Sequence, residues 1–199
     1  MTKSRLSQHA AAFTAYSADY AGYYPYFTNP TATYSVVWCG GQGYRVSRYF
    51  DAQFFWSAVM SEYLGQPCGD AAFFPKVEMK SRPEQADPYF LYPATLISDP
   101  DFWNALTRTG PSQWRAVGTH EVKFTSYKGV LVSFHPWDLD ESFGPSKFVA
   151  AFADGHASDH LTSEAMRPYP RGEGDWRGYV FSYGRPVLHT VDGVRGRDY

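Results

Sequence analysis

Apolar residues recur at steps of three and four from the start of the chain. Leu6, Ala10, Phe13, Ser17 and Tyr20 share one helical face, and Gly22 and Pro25 stand where a helix should stop. The pattern predicts a helix over the first 22 residues. A second helical run spans 52–64, with Phe54, Phe55, Ala58, Val59, Glu62 and Tyr63 in register and Gly65 to Pro67 ending it. Between them, the segment from Pro25 to Gly43 reads as an extended loop with one short strand near Tyr34 to Trp38. Residues 69–100 carry Pro75, Pro83, Pro88, Pro93 and Pro100, too dense for a long helix, and read as a loop-rich insertion. Asp101 to Leu106 suits a short helix capped by Ser98 or Asp99. The period then shortens. Glu121–Thr125, Gly129–Phe134, Lys147–Ala153 and Gly178–Ser182 have the β-branched and aromatic content of strands, and Ala153-Asp154-Gly155-His156 is a tight turn between them. The expectation is an α+β fold: an N-terminal helix packed on an antiparallel sheet, with long loop-rich insertions, as a single domain over 1–199.

Charge narrows the partners. A formal net charge of -2 argues against a nucleic-acid surface, which needs clustered Lys and Arg. The late arginines, Arg167 to Arg197, alternate with Glu164, Glu173, Asp175, Asp192 and Asp198 and read as a solvated mixed-charge face. No run approaches the ~20 apolar residues of a membrane span, and the start lacks the apolar core of a signal peptide. Aromatic residues make up 19% of the chain, which suits a loop-rich surface where a tyrosine ring packs and its hydroxyl stays wet.

The candidate chemistry is sparse. Asp154, His156, Asp159 and His160 form the densest set of ligand-type residues and suit a transition metal or a polarised water. The bland alternative is that Asp154-Gly155 is simply what a hairpin turn demands. On a strand, His156 and His160 would lie some 13 Å apart, too far to share an ion; on a helix they would chelate. Asp138, Asp140 and Glu141 offer hard oxygens to calcium, without the glycine and closing glutamate of an EF-hand loop. Cys39 and Cys68 allow one disulfide, and neither has a neighbour at structural-zinc spacing. No nucleophile elbow or phosphate loop is present. Trp38, Trp114, Trp137 and Trp176 sit near turn residues and are candidates for a sugar-stacking platform.

Three segments in order carry a family resemblance. The opening helix runs through Tyr20 into Gly22-Tyr23-Tyr24-Pro25, Lys128-Gly129-Val130-Leu131-Val132-Ser133-Phe134-His135 forms a late strand, and Phe148 to Ala157 contains Phe152-Ala153-Asp154-Gly155-His156. Together they resemble the pseudopilin-like, prepilin-type proteins of the planctomycete group. One departure is Gly144, which stands where that group usually has a histidine ten positions before the Asp; His135 is the nearest upstream.

The resemblance implies a non-enzymatic structural subunit of a type II secretion pseudopilus or type IV pilus-like fibre. It implies that the membrane helix preceding Lys3 and Arg5 has been left off, with Met1 an artificial start. The native protein would be anchored in the inner membrane with an extracytoplasmic head. Leu6, Phe13 and Tyr20 would join helix to sheet, and Gly22 and Pro25 would end the helix. Asp154 and Gly155 would shape the hairpin. The partners would be other pilin-like subunits and the secretion machinery, reached through the missing segment and the 69–100 insertion. No cofactor is required, although a structural calcium ion in a late loop fits the family. An exported protein would also favour a Cys39–Cys68 bridge. The rival readings are a secreted carbohydrate-binding module and a metal-dependent hydrolase using Asp154, His156 and His160.

Overall fold

The computed structural model describes residues 2–26, 35–39, 42–46, 49–68, 90–133, 147–169 and 187–199. Helix α1 (Thr2–Asp19) opens the chain, followed by the hairpin of β1 (Ser35–Cys39) and β2 (Gln42–Val46). A 3-10 turn (Tyr49–Phe54) leads into α2 (Trp56–Leu64). The remaining strands are β3 (Phe90–Leu91), β4 (Gly129–Ser133), β5 (Lys147–Phe152) and β6 (Ala157–Leu161), which form an antiparallel sheet in the order β3-β4-β5-β6. The class is mixed α+β, with two α-helices among the described residues.

Helix α1 is alanine-rich, so little side-chain entropy opposes it, and its stability comes from what it buries. It contacts β4, β5 and β6 on one side and α2 on another. The buried arc is therefore wider than the predicted stripe. Besides Leu6, Ala10, Phe13 and Ser17 it includes His9, Ala12 and Tyr16. Phe13 and His9 set their rings edge-on to Trp56, at 5.5 and 5.4 Å between centroids. Trp56 itself is anchored by its indole N–H, which donates to the Phe90 carbonyl at 2.8 Å. Tyr20 corrects the predicted stripe. It lies one residue past the helix, is 52% exposed, and stacks on Tyr16 rather than on the sheet.

The helix stop differs in detail from the expected glycine. The Gly22 N–H reaches back to the Ser17 carbonyl at 2.7 Å, a six-to-one bond that places the left-handed residue at Ala21, φ 52°. Gly22 follows at φ 82°, and the chain is then stitched to 117–119 by Tyr24 N–H to Val117 O and Thr119 N–H to Gly22 O. Pro25 lies buried just beyond.

Several other expectations change. The short strand expected near Tyr34 to Trp38 is present as β1, and it pairs with β2, a partner strand that was not expected. The second helix is broken: Phe55 leaves helical geometry at φ -114°, and only 56–64 is α-helical. Glu121–Thr125 is not a strand. The Glu121 carboxylate accepts the Gly118 N–H at 2.9 Å and binds Arg115 at 2.7 Å, which closes a 3-10 turn (Thr119–Glu121) in place of a ladder. Asp101–Leu106 becomes a 3-10 turn (Pro100–Trp103), capped by Asp99 through the Asp101 N–H. Ser98, the other candidate cap, instead accepts the Trp103 indole N–H at 2.7 Å.

The end of the predicted insertion belongs to the core. Phe90, Leu91, Tyr92, Ala94, Leu96 and Ile97 are all buried: β3 forms the sheet edge beside β4, and the following 3-10 turn (Ala94–Leu96) is itself interior. A second, aromatic layer forms around Phe50, Phe102 and Trp103, with Tyr49 stacked on Trp114 at 4.8 Å and His189 stacked on Trp103 at 5.5 Å. The remaining predicted strand, Gly178–Ser182, lies outside the described residues, as does most of the insertion.

Candidate functional site: the late hairpin and the buried pair behind it

Strands β5 and β6 are joined by four residues, Ala153-Asp154-Gly155-His156. The Phe152 N–H donates to the His156 carbonyl at 2.9 Å, and the Gly155 N–H returns to the Phe152 carbonyl at 2.9 Å. Gly155 takes φ 91°, a conformation a side chain would strain. Asp154 does the work expected of Asp in a turn. Its Oδ1 accepts the His156 N–H at 3.2 Å and meets His156 Nδ1 at 2.6 Å. Partial burial opposes ionisation of Asp154, but hydrogen bonds from Ser126 and His156 outweigh it and hold the carboxyl below its ordinary value.

The other members of the ligand-type cluster also have structural partners. His156 lies on the Phe152 ring, and His160 stacks on Tyr199 at 4.0 Å between centroids. His160 Nε2 meets the Ser158 hydroxyl at 2.7 Å, and its Nδ1 lies 3.6 Å from Glu164. Asp159 pairs with Lys3 and so ties the first turn of α1 to β6. His156 closes the turn ahead of β6 and His160 lies on the strand, so the segment is not the helix that chelation would need, and both imidazoles pack against the Phe152 ring. Among the described residues no three His, Cys, Asp or Glu side chains come together to hold a metal. Burial, its largest influence, lowers the pKa of His160, while Glu164 partly opposes the shift.

Behind the hairpin lies a constellation with no signal in the sequence beyond a lysine that immediately precedes a strand. Lys128 and Asp198 have fully buried side chains, with Nζ 3.1 Å from Oδ1. Lys128 Nζ also donates to Thr190 Oγ1 at 2.6 Å, and the Gly129 N–H donates to Asp198 Oδ2 at 2.7 Å. The Thr190 hydroxyl donates to Asp198 Oδ1. Burial is the largest influence on both ionisable groups. It pushes the lysine below its usual value and the carboxyl above its own, and their mutual attraction only partly offsets this.

The site residues predicted elsewhere separate. Asp138, Asp140, Glu141, Trp137 and Trp176 lie outside the described residues. Trp114 is packed on Tyr49 and is no platform, whereas Trp38 on β1 is 72% exposed. Cys68 is disulfide-bonded, and the chain has one other cysteine, Cys39. A cavity of about 330 Å³ opens between the end of α1 and the sheet, lined by Phe13, Ser17, Tyr24, Val130, Phe152 and Ala153 among others. No described helix is long and apolar enough to cross a membrane. A comparison with protein-family models, curated proteins and solved structures finds no match.

The arrangement braces the β5–β6 hairpin; it does not assemble a reaction centre from the predicted cluster. The cluster's carboxylates and imidazoles are occupied by ring stacking, turn hydrogen bonds and a surface ion pair.

Proposed function

We propose that this chain is the globular head of a pseudopilin-like or minor-pilin-like subunit, a structural part of a type II secretion or type IV pilus-like filament. The observation that supports it is the seating of α1. An N-terminal helix lies against a four-stranded antiparallel sheet, buries Leu6, Ala10 and Phe13, and is pinned at its first turn by Lys3 to Asp159. In this reading α1 is the lower end of a longer helix, whose upstream part would anchor the subunit in the inner membrane and pack in the filament. The head would stand on the extracytoplasmic side, and the Asp154-Gly155 hairpin would brace the sheet rather than catalyse.

The test is processing in the source cell. Deletion of the prepilin peptidase should leave the protein as a heavier, membrane-held precursor; an unchanged mass and location would contradict the reading.

Trp38 gives a second reading some support, since an exposed indole on a hairpin is a surface on which a sugar ring can stack. In that case the chain would bind insoluble glycans and lose that binding on Trp38→Ala.

A further inference from the structure

Lys128 and Asp198 are held in a way that ordinary surface ion pairs are not. Both side chains are fully buried. Asp198 is fixed on both sides of its backbone: its N–H donates to the Tyr127 carbonyl at 2.9 Å, and its carbonyl accepts the Met166 N–H at 2.8 Å. Lys128 immediately precedes β4, and its carbonyl accepts the Ala153 N–H at 2.9 Å, so it is bound to the residue that follows β5. The backbones that carry the two groups are therefore fixed relative to each other, and the lysine amine is held at its tip by Thr190 and Asp198. Val187, itself buried, presses on Gly129 closely enough that a Cβ there would meet Val187 Cγ1 at 2.5 Å. Water is kept out.

We propose that the Lys128 amine condenses with the Asp198 carboxyl to form an isopeptide bond, a covalent modification site that locks the C-terminal segment to the start of β4. The chemistry follows from the contacts. The uncharged amine is the nucleophile, and the carboxylic acid is the electrophile. Burial favours these neutral forms of both partners, because charged groups lose their solvation there. The Nζ lone pair attacks Asp198 Cγ, and negative charge gathers on Oδ2, where the Gly129 N–H already donates at 2.7 Å.

The Thr190 hydroxyl lies against both reacting groups, 2.6 Å from Nζ and hydrogen-bonded to Oδ1. It carries a proton from the attacking nitrogen to Oδ1, which leaves with the proton of the acid as water. One C–N bond forms and one C–O bond breaks. A primary amine and a carboxylic acid give an amide and water, with no change of oxidation state and no co-reactant. Proximity supplies the drive, since a neighbour held in contact reacts as though at very high concentration. The bond closes across a sequence separation of 70 residues.

The test is the mass of the whole purified protein, reduced and denatured. The bonded chain weighs one water less than its sequence. Trypsin then fails to cut after Lys128, and it releases peptide 124–147 carrying the Asp198-Tyr199 dipeptide. In Lys128→Met the mass returns to the full sequence value. A wild-type chain at full sequence mass, with trypsin cutting after Lys128, overturns the proposal. So does a Lys128→Met chain that still lacks one water, since the loss would then lie elsewhere.

Discussion

The His156 imidazole lies flat on the Phe152 ring, 4.4 Å between centroids and 5° between planes, because Asp154 holds its Nδ1 from across the turn. The geometry depends on Gly155, whose φ of 91° lets the chain reverse within four residues. A Cβ on Gly155 meets nothing within 4 Å, so the cost of replacing it is backbone strain alone. Gly155→Ala should destabilise by about 1–2 kcal/mol, as read by urea unfolding. The change should also move the His156 ring signals in an NMR spectrum.

The end of α1 offers the opposite change. Ala21 occupies the left-handed cap position at φ 52°, where glycine is strain-free. Ala21→Gly should therefore stabilise, by up to about 1 kcal/mol, and raise the thermal midpoint. A loss of stability would mean that the six-to-one bond from Gly22 to Ser17 does not define the helix end.

The stripe that binds the helix can be separated from its neighbour by mutation. Phe13 is 2% exposed and Tyr20 is 52% exposed. Phe13→Ala should cost about 3–5 kcal/mol, the range for a buried aromatic truncated to a cavity. Tyr20→Ala loses only a surface stack on Tyr16 and should cost about 1 kcal/mol or less. Equal losses in chemical denaturation would place Tyr20 on the sheet face after all.

His160 sets a pH dependence whose sign follows from burial. Its folded pKa lies below the ordinary 6.5, so the unfolded chain binds the proton more readily. The stability it contributes is fully present above pH 6.5 and is lost as pH falls through that value towards the lower folded one. His160→Phe keeps a ring against Tyr199 and removes the proton. Its unfolding free energy should fall less than that of the wild type between neutral pH and about pH 5.

The helical stripe, the final turn of α2 and the Asp-Gly turn were legible in the sequence, because each is a local pattern: spacing, a helix stop, a residue that tolerates positive φ. What escaped was non-local. Phe90 to Leu96 looked like part of a proline-rich insertion, and only pairing with β4 makes it core. Glu121 had strand-like neighbours, and only Arg115 reveals that its carboxylate closes a turn. The ligand-type spacing of Asp154 to His160 was real, but stacking and ion pairing at Phe152, Tyr199 and Lys3 absorbed it. Lys128 and Asp198 stand 70 positions apart, and no window on the sequence could join them.

The proposed role as a filament head is tested most directly by reading the native gene upstream of the Met1 codon, in frame. The account predicts a short basic leader, a Gly-Phe-type cleavage junction and ~20 apolar residues running directly into Lys3 and α1. A stop codon there, or a conventional signal peptide cleaved before Met1, would contradict it.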